Sequence, residues 1–164
     1  MGRRHDSENT TGFDDTKNYL SDALGRIIPK RIARRAVTVE VETDQTEYAR
    51  GEPVAITVRL RNRLPAPVEL ETTTRRRWGW RVDGVLEASD ERRYLRDEPG
   101  VIGFRAGETK VATAPWNGRF RRTADTDGLD RSVRAERGDH TISAFVPVPD
   151  GDGRHEDATQ IRIR

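Results

Sequence analysis

The sequence predicts an antiparallel β-sandwich preceded by a short amphipathic helix. Three observations carry this prediction. Apolar and polar residues alternate in about seven to nine short segments. These segments recur roughly every ten residues and are separated by glycine, proline and acidic turns. No helical periodicity interrupts the alternating segments, so the strands are expected to form two packed sheets.

The composition bounds the size and class of the protein. The chain has 164 residues, of which 33% are hydrophobic and 35% are charged, enough for one core domain of about 100 residues with polar extensions. The absence of cysteine excludes disulfides, thiolate metal sites and cysteine nucleophiles. No apolar run approaches the ~20 residues of a membrane span, and no apolar leader follows Met1, so we expect a cytoplasmic protein.

The N-terminal part is predicted to be a tail followed by a helix. Residues 1–12 are polar and are expected to be disordered. Within 13–35, apolar residues recur at three- and four-residue steps and define one helical face. These residues are Phe13, Leu20, Leu24, Ile27 and Ile28. Pro29 is expected to end the helix near Ile28 or to kink it there, and 30–35 is expected to be a basic hinge.

The sandwich domain is predicted over residues 36–164. Its alternating segments are 37–41, 54–60, 68–72, 78–82, 92–96, 101–104, 109–116, 140–148 and 158–163. Asp83-Gly84 is typical of a tight hairpin turn. Residues at about 117–139 are rich in arginine, aspartate and glycine, and we expect a long loop there, a feature that is often functional.

Several short motifs resemble those of a known family. They are Gly51–Asn62, a strand that ends in asparagine, Ala106-Gly107-Glu108, Trp116-Asn117-Gly118, and the final strand Gly138–Ala144. Their order is similar to that of intracellular proteinase inhibitor domains of the BsuPI type. His140 stands where that family more often has tyrosine. The resemblance covers about residues 36–164 and implies an immunoglobulin-like β-sandwich that binds protein.

Arginine dominates the basic residues. The chain has 30 lysines and arginines against 28 acidic residues, a net charge of +2. The densest cluster is 75–81, with the sequence Arg-Arg-Arg-Trp-Gly-Trp-Arg. Arginine with exposed tryptophan binds single-stranded nucleic acid. The two tryptophans also share one strand face, so they can equally be core residues with arginines on the surface.

The sequence offers no arrangement of catalytic residues. His5, His140 and His155 are not at metal-binding spacing, and no hydrolase motif is present. The acidic, glycine-rich segments Asp125–Asp130 and Asp150–Asp157 are typical of turns and lack the EF-hand spacing for calcium. We therefore expect no enzyme activity, no cofactor and no bound metal.

The sequence favours a non-enzymatic protein-binding module, with an inhibitory or scaffolding role. The residues expected to contact the partner are Leu24, Ile27, Ile28, Arg31, Arg34, Arg35, Arg119, Phe120, Arg121 and Arg122. The apolar helix face can cover the sandwich, a partner groove or a second copy of the chain, so an oligomer through this helix is one alternative. The other is an accessory protein of RNA or of the ribosome that uses its arginine-rich arm and loop. We expect residues 1–35 to be separable from folding but needed for binding.

Overall fold

The fold is an immunoglobulin-like antiparallel β-sandwich, as predicted. A computed structural model describes residues 28–88, 97–123, 130–149 and 155–164. A short helix, α1 (Lys30–Ala36), precedes the strands. The strands are β1 (Val37–Thr43), β2 (Glu47–Tyr48), β3 (Val54–Asn62), β4 (Val68–Thr72), β5 (Gly79–Val82), β6 (Val85–Leu86), β7 (Gly100–Phe104), β8 (Thr109–Trp116), β9 (Arg119–Thr123), β10 (Asp130–Arg134), β11 (Gly138–Phe145) and β12 (Glu156–Ile163).

The strands form two layers around one core. One layer is the three-stranded sheet β1-β3-β8. The other contains β2-β12-β11-β5-β6, in which only β2 runs parallel to its neighbour. Strands β4 and β7 pair with each other. The Thr73 N–H, just after β4, donates to the carbonyl of Pro147 (2.7 Å), which lies beyond β11. This bond joins the β4–β7 pair to the second layer.

The alternation read from the sequence matches the burial of the strands, apart from segment 92–96, which lies outside the described residues. Residues Val37, Val39, Val41, Val54, Ile56, Val58, Leu60, Trp80, Ile142 and Ala144 are buried in one core. Trp78 lies before β5, is only partly buried and packs against that core. Burial of such apolar side chains is the main favourable term in folding.

The prediction of a basic hinge at 30–35 is wrong, because these residues belong to α1. Pro29 precedes the helix, and its carbonyl accepts the N–H groups of Ile32 (2.8 Å) and Ala33 (3.1 Å). Proline is tolerated at a helix start, where its missing N–H is not needed. Ala33 is buried in the core, so this part of the arm packs on the sandwich. The helix predicted before Pro29 lies outside the described residues except for Ile28.

The prediction of a long loop at 117–139 is also wrong, because this segment contains the β9–β10 hairpin. Ala135 N–H donates to the Gly118 carbonyl (2.8 Å) and closes the base of the hairpin. Arg121 N–H donates to the carbonyl of Ala88 (2.6 Å) and ties β9 to the segment after β6. The alternation was not visible in the sequence because arginines occur on both faces of these strands.

The predicted hairpin turn between β5 and β6 is confirmed. Asp83 has φ of 48° and Gly84 has φ of 80°. Two successive residues with positive φ are the signature of the turn that matches strand twist in a two-residue hairpin. This turn fixes Asp83, whose carboxylate reaches across to β11.

A buried asparagine joins two corners of the sandwich. Asn62 ends β3 and is fully buried. Its Nδ2 donates to the carbonyl oxygens of Ala66 and Arg105, each at 2.8 Å. Its Oδ1 accepts the N–H of Leu64 at 3.0 Å. One amide thus ties the β3–β4 connection to the β7–β8 connection.

We expect Asn62→Asp to destabilise the fold by about 2–4 kcal/mol, because a carboxylate cannot donate to two buried carbonyls. Urea unfolding followed by circular dichroism measures the change. Asn117→Asp is the matched control, because exposed Asn117 uses only its Oδ1, which accepts the Arg119 N–H. Equal stability losses in the two variants would contradict the role given to Asn62.

Candidate functional site

Many arginines on the sandwich are neutralised by carboxylates. The pairs are Arg59–Glu42, Arg75–Glu98, Arg76–Glu87, Arg81–Glu156, Arg162–Asp139 and Arg164–Glu47. Such pairs on exposed surfaces contribute little to stability. They do show which arginines already have an internal anion, and hence which positive charges remain for a partner.

The arginine–tryptophan cluster at 75–81 is largely internally satisfied. Trp80 is buried, and Trp78 is only partly exposed. The Arg81 guanidinium lies 3.8 Å from the ring centroid of Phe145 and pairs with Glu156 at 3.0 Å. The tryptophans therefore pack on the core, and among the described residues of this cluster no fully exposed ring is left on which a base could stack.

Several arginine side chains make neither an ion pair nor a hydrogen bond within the described residues. They are Arg31, Arg35, Arg61, Arg63, Arg122, Arg134 and Arg137. All of them are exposed. They fall into two groups, one beside α1 and one on and beside the β9–β10 hairpin.

The first group, which we call the basic corner, consists of Arg31, Arg35, Arg61 and Arg63. Arg31 and Arg35 are four residues apart on α1 and therefore share one helix face. Arg61 and Arg63 flank the end of β3. The Arg63 N–H donates to the carbonyl of Ala36 (2.9 Å), the last residue of α1. This bond joins the last residue of the helix to the end of β3, so the four exposed arginines lie on two chain segments that meet there.

The other predicted residues of the arm hold α1 in place. Ile28 is half-buried against the core. Lys30 Nζ lies 2.5 Å from Glu71 Oε1, and Arg34 Nη2 lies 4.0 Å from Glu71 Oε2. Arg34 therefore serves to attach α1 to β4. Leu24 and Ile27 lie outside the described residues.

Phe120 is not the exposed contact residue that the sequence predicted. It is buried, and its ring centroid lies 5.5 Å from that of Trp116 in an edge-to-face arrangement. Trp116 Nε1 donates to the carbonyl of Arg119 (2.8 Å), which fixes the start of β9. Arg119 Nε in turn donates to Ser132 Oγ (2.7 Å) across the hairpin.

The register of the hairpin places arginine opposite arginine twice. Arg122 faces Arg131, and Arg119 faces Arg134. Like charges at directly opposite positions destabilise an antiparallel pair. Of the predicted residues here, Arg122 is exposed and unpaired, whereas Arg121 lies half-buried and has a partner. The hairpin is therefore a second basic surface.

Four of these arginines were not among the residues predicted from the sequence, namely Arg61, Arg63, Arg134 and Arg137. Alternation along β3 already placed Arg61 on the outer face. It could not show whether a carboxylate on a neighbouring strand reaches a given guanidinium. Only the register and the side-chain positions separate paired from unpaired arginines.

His140 is a buried structural residue that bridges two loops. Its Nδ1 lies 2.7 Å from Asp83 Oδ2, and its Nε2 lies 2.9 Å from the Glu136 carbonyl oxygen. Both neighbours accept hydrogen bonds, so the imidazolium form satisfies both. Burial lowers the pKa of His140, but the bonds to Glu136 and Asp83 and the charges of Asp83 and Asp139 outweigh it and raise the pKa above 6.5.

His155 is also buried, and its Nε2 lies 2.8 Å from the Arg34 carbonyl oxygen. His5 lies outside the described residues. Within the described ranges, no group of three or more histidine or acidic side chains is arranged to hold a metal ion. Residues 125–129 and 150–154 of the two acidic segments fall outside those ranges. No helix in the described part of the chain is long and apolar enough to cross a membrane.

We expect the His140–Asp83 pair to stabilise the fold below pH 6.5 and to lose that effect as the pH rises through the raised pKa of His140. The test compares the thermal midpoint of the wild type with that of Asp83→Asn between pH 5 and 9, a range of about four units. Asparagine tolerates the positive φ of residue 83 and keeps an oxygen for the Thr141 N–H. The difference between the two proteins should shrink toward alkaline pH, and a constant difference would refute the pair.

The chain is only weakly similar to solved structures. The CARDB domain of the PF1109 protein from Pyrococcus furiosus, solved in complex with di-metal ions, is 14% identical with a TM-score of 0.43. The match covers 77% of this chain and 91% of that chain. The β-glucosidase EmGH1 from Erythrobacter marinus is 16% identical with a TM-score of 0.45, and a β-glucosidase from Listeria innocua is 14% identical with a TM-score of 0.42. These matches cover 78% and 77% of this chain but only 15% and 16% of the glucosidase chains.

No curated protein matches the chain. A family model described as "Family of unknown function (DUF7974)" matches residues 25–164. Neither the family model nor the three structures are described as of the BsuPI type, so only the β-sandwich part of the resemblance is confirmed, by the strands of this chain. Because the family model covers most of the chain, this protein belongs to the family of unknown function DUF7974.

Proposed function

We propose that this domain is a non-enzymatic protein-binding module that holds an acidic segment of a partner protein at the basic corner. The observation that carries the proposal is the contrast between two sets of arginines. Those spread over the sandwich are largely paired with carboxylates, whereas Arg31, Arg35, Arg61 and Arg63, on the two segments that meet at the Ala36–Arg63 bond, make no ion pair with the described residues.

Guanidinium groups suit this task because their forked donors bind carboxylates through two parallel hydrogen bonds. The corner is also built on rigid elements. The core residue Ala33 anchors α1, and Lys30 pairs with Glu71 on β4. A positioned site loses less entropy on binding than a flexible arm does.

An apolar contact lies beside the charges. Ile32 is 47% exposed on α1 and stands three residues before Arg35, so both lie on the same side of the helix. Protein interfaces commonly combine an apolar anchor with surrounding polar contacts. A partner segment with one apolar side chain among carboxylates would match this surface. Scaffolding and inhibition would both use such a contact.

The alternative partner, RNA, finds less support in the described surface. Arginines bind phosphates as well as carboxylates. Single-stranded nucleic acid is held largely by stacking of bases on aromatic side chains. The large hydrophobic residues that are exposed in the described part of the chain are all aliphatic. The basic corner thus lacks the aromatic platform that a nucleic-acid surface needs.

The test measures binding of a fluorescent acidic peptide of about ten residues, containing one leucine, to the full chain. Arg35→Glu combined with Arg63→Glu should weaken binding at least about tenfold, since two contacts become repulsions. The matched control is Arg134→Glu combined with Arg137→Glu, which changes the net charge equally but leaves the corner intact. The control should bind within about twofold of wild type.

An equal loss of affinity in both variants would show that peptide binding depends on the overall charge. It would contradict the proposal that the basic corner is the binding site. An RNA oligonucleotide of similar length serves as the competing ligand. Tighter binding to RNA than to the peptide, with affinity that falls steeply as salt rises, would replace the protein-binding proposal by the RNA one. Pull-downs from native lysate with and without nuclease give the same distinction for natural partners.

A further inference from the structure

Strand β8 presents an uncharged outer face in a chain that is otherwise rich in charge. Its outward residues are Thr109, Val111, Thr113 and Pro115, and all of them are exposed. Val111 keeps 46% of its surface accessible. Natural edge strands usually carry outward charges that prevent pairing with another chain, and β8 has none on this face.

Among the described residues, the backbone of β8 has a neighbouring strand on one side only. β8 is the last strand of the β1-β3-β8 sheet. Asn62 N–H donates to the Glu108 carbonyl (2.8 Å), and these residues are opposite each other in the β3–β8 register. Because bonding alternates along an antiparallel strand, the even-numbered residues of β8 bond to β3. The N–H groups of Thr109, Val111 and Thr113 then point to the free side, where no bond to another described segment is formed.

The only charged side chain of β8 does not lie where it would prevent another strand from pairing with this edge. Lys110 is on the inner side of the strand, with its side chain only 14% exposed. Its ammonium group lies 3.3 Å from Glu108 Oε1 and 5.6 Å from the ring centroid of Phe104. The charge is thus directed into its own domain. On β3, Arg59 is likewise turned away from β8 by its ion pair with Glu42.

We propose that β8 pairs with β8 of a second copy of this chain, antiparallel and about a two-fold axis at Val111. In this register Val111 faces its own counterpart, and Thr109 faces Thr113. Each opposed pair exchanges two backbone hydrogen bonds, about six in all. The two three-stranded sheets become one six-stranded sheet, and the interface is isologous.

A second copy fits this edge because the edge is complementary to itself. No charged residue is placed opposite a like charge: on the inner side Lys110 lies opposite Ala112. The ladder also has a natural end. Pro115 has no N–H, and its counterpart in this register is Gly107, whose N–H already donates to the carbonyl of Leu64 (2.8 Å). The paired length is therefore limited to the segment between Thr109 and Thr113.

The first experiment is sedimentation velocity of the full chain from about 5 µM to about 1 mM, a range suited to a small interface. The wild type should shift from monomer toward dimer as concentration rises. Val111→Lys and Val111→Glu should each be monomeric, because each places like charges opposite each other. An equimolar mixture of the two variants should associate again, since the opposed charges then differ in sign.

The matched control is Val101→Lys. Val101 is 49% exposed on β7, similar to Val111, but lies in the other layer. This variant should dimerise as the wild type does. Far-UV circular dichroism and thermal midpoints must agree among all variants, so that a loss of dimer is not a loss of fold.

A second measurement uses the absence of cysteine from the chain. Val111→Cys should form a disulfide-linked dimer under mild oxidation, because opposed residues of an antiparallel pair lie within disulfide reach. Val101→Cys should not. The proposal is overturned if the wild type stays monomeric throughout the range, if Val101→Lys dissociates the dimer as Val111→Lys does, or if the mixed variants fail to associate.

Discussion

The amide of Asn62 is the constraint on which the arrangement of this domain depends. It satisfies two carbonyls and one N–H at the point where β3 turns into β4 and β7 turns into β8. Its neighbours in the chain, Arg61 and Arg63, belong to the basic corner. The same buried residue that ties two corners together therefore sets the direction from which two of the four guanidinium groups emerge. The structural role of Asn62 and the proposed binding role of its neighbours thus meet within three consecutive residues.

The small net charge of +2 hides an uneven distribution of charge over the surface. Paired arginines and carboxylates cancel over much of the sandwich, so they contribute to solubility without creating a field of one sign. The unpaired arginines are concentrated at the α1–β3 junction and on the β9–β10 hairpin. A chain that is nearly neutral as a whole can therefore still present two surfaces with several arginines that make no ion pair with the described residues. Global charge alone would not have revealed either of them.

Strand positions and the core could be predicted because apolar residues at every second position mark the buried face of a strand, as in Val54 to Leu60. The Asp83-Gly84 turn could be predicted because its backbone demands particular residues. The hairpin at 119–134 could not, since arginines obscure its alternation and Phe120 is buried by long-range packing against the core, including Trp116 and His140. Half of the basic corner could be predicted from the sequence. Arg31 and Arg35 were predicted as contact residues, whereas Arg61 and Arg63 could be identified only once the positions of nearby carboxylates were known.

The uncharged edge of β8 also bears on how the basic corner would work. Pairing about Val111 keeps the outer faces of both sheets on one side, with Arg61 of each copy toward opposite ends of the joined sheet. Two corners would then engage one extended acidic partner at once. Linked contacts of this kind raise avidity far above the affinity of either site alone, provided the partner spans both. Occupancy of such a partner would rise steeply once the domain reached the concentration at which it dimerises.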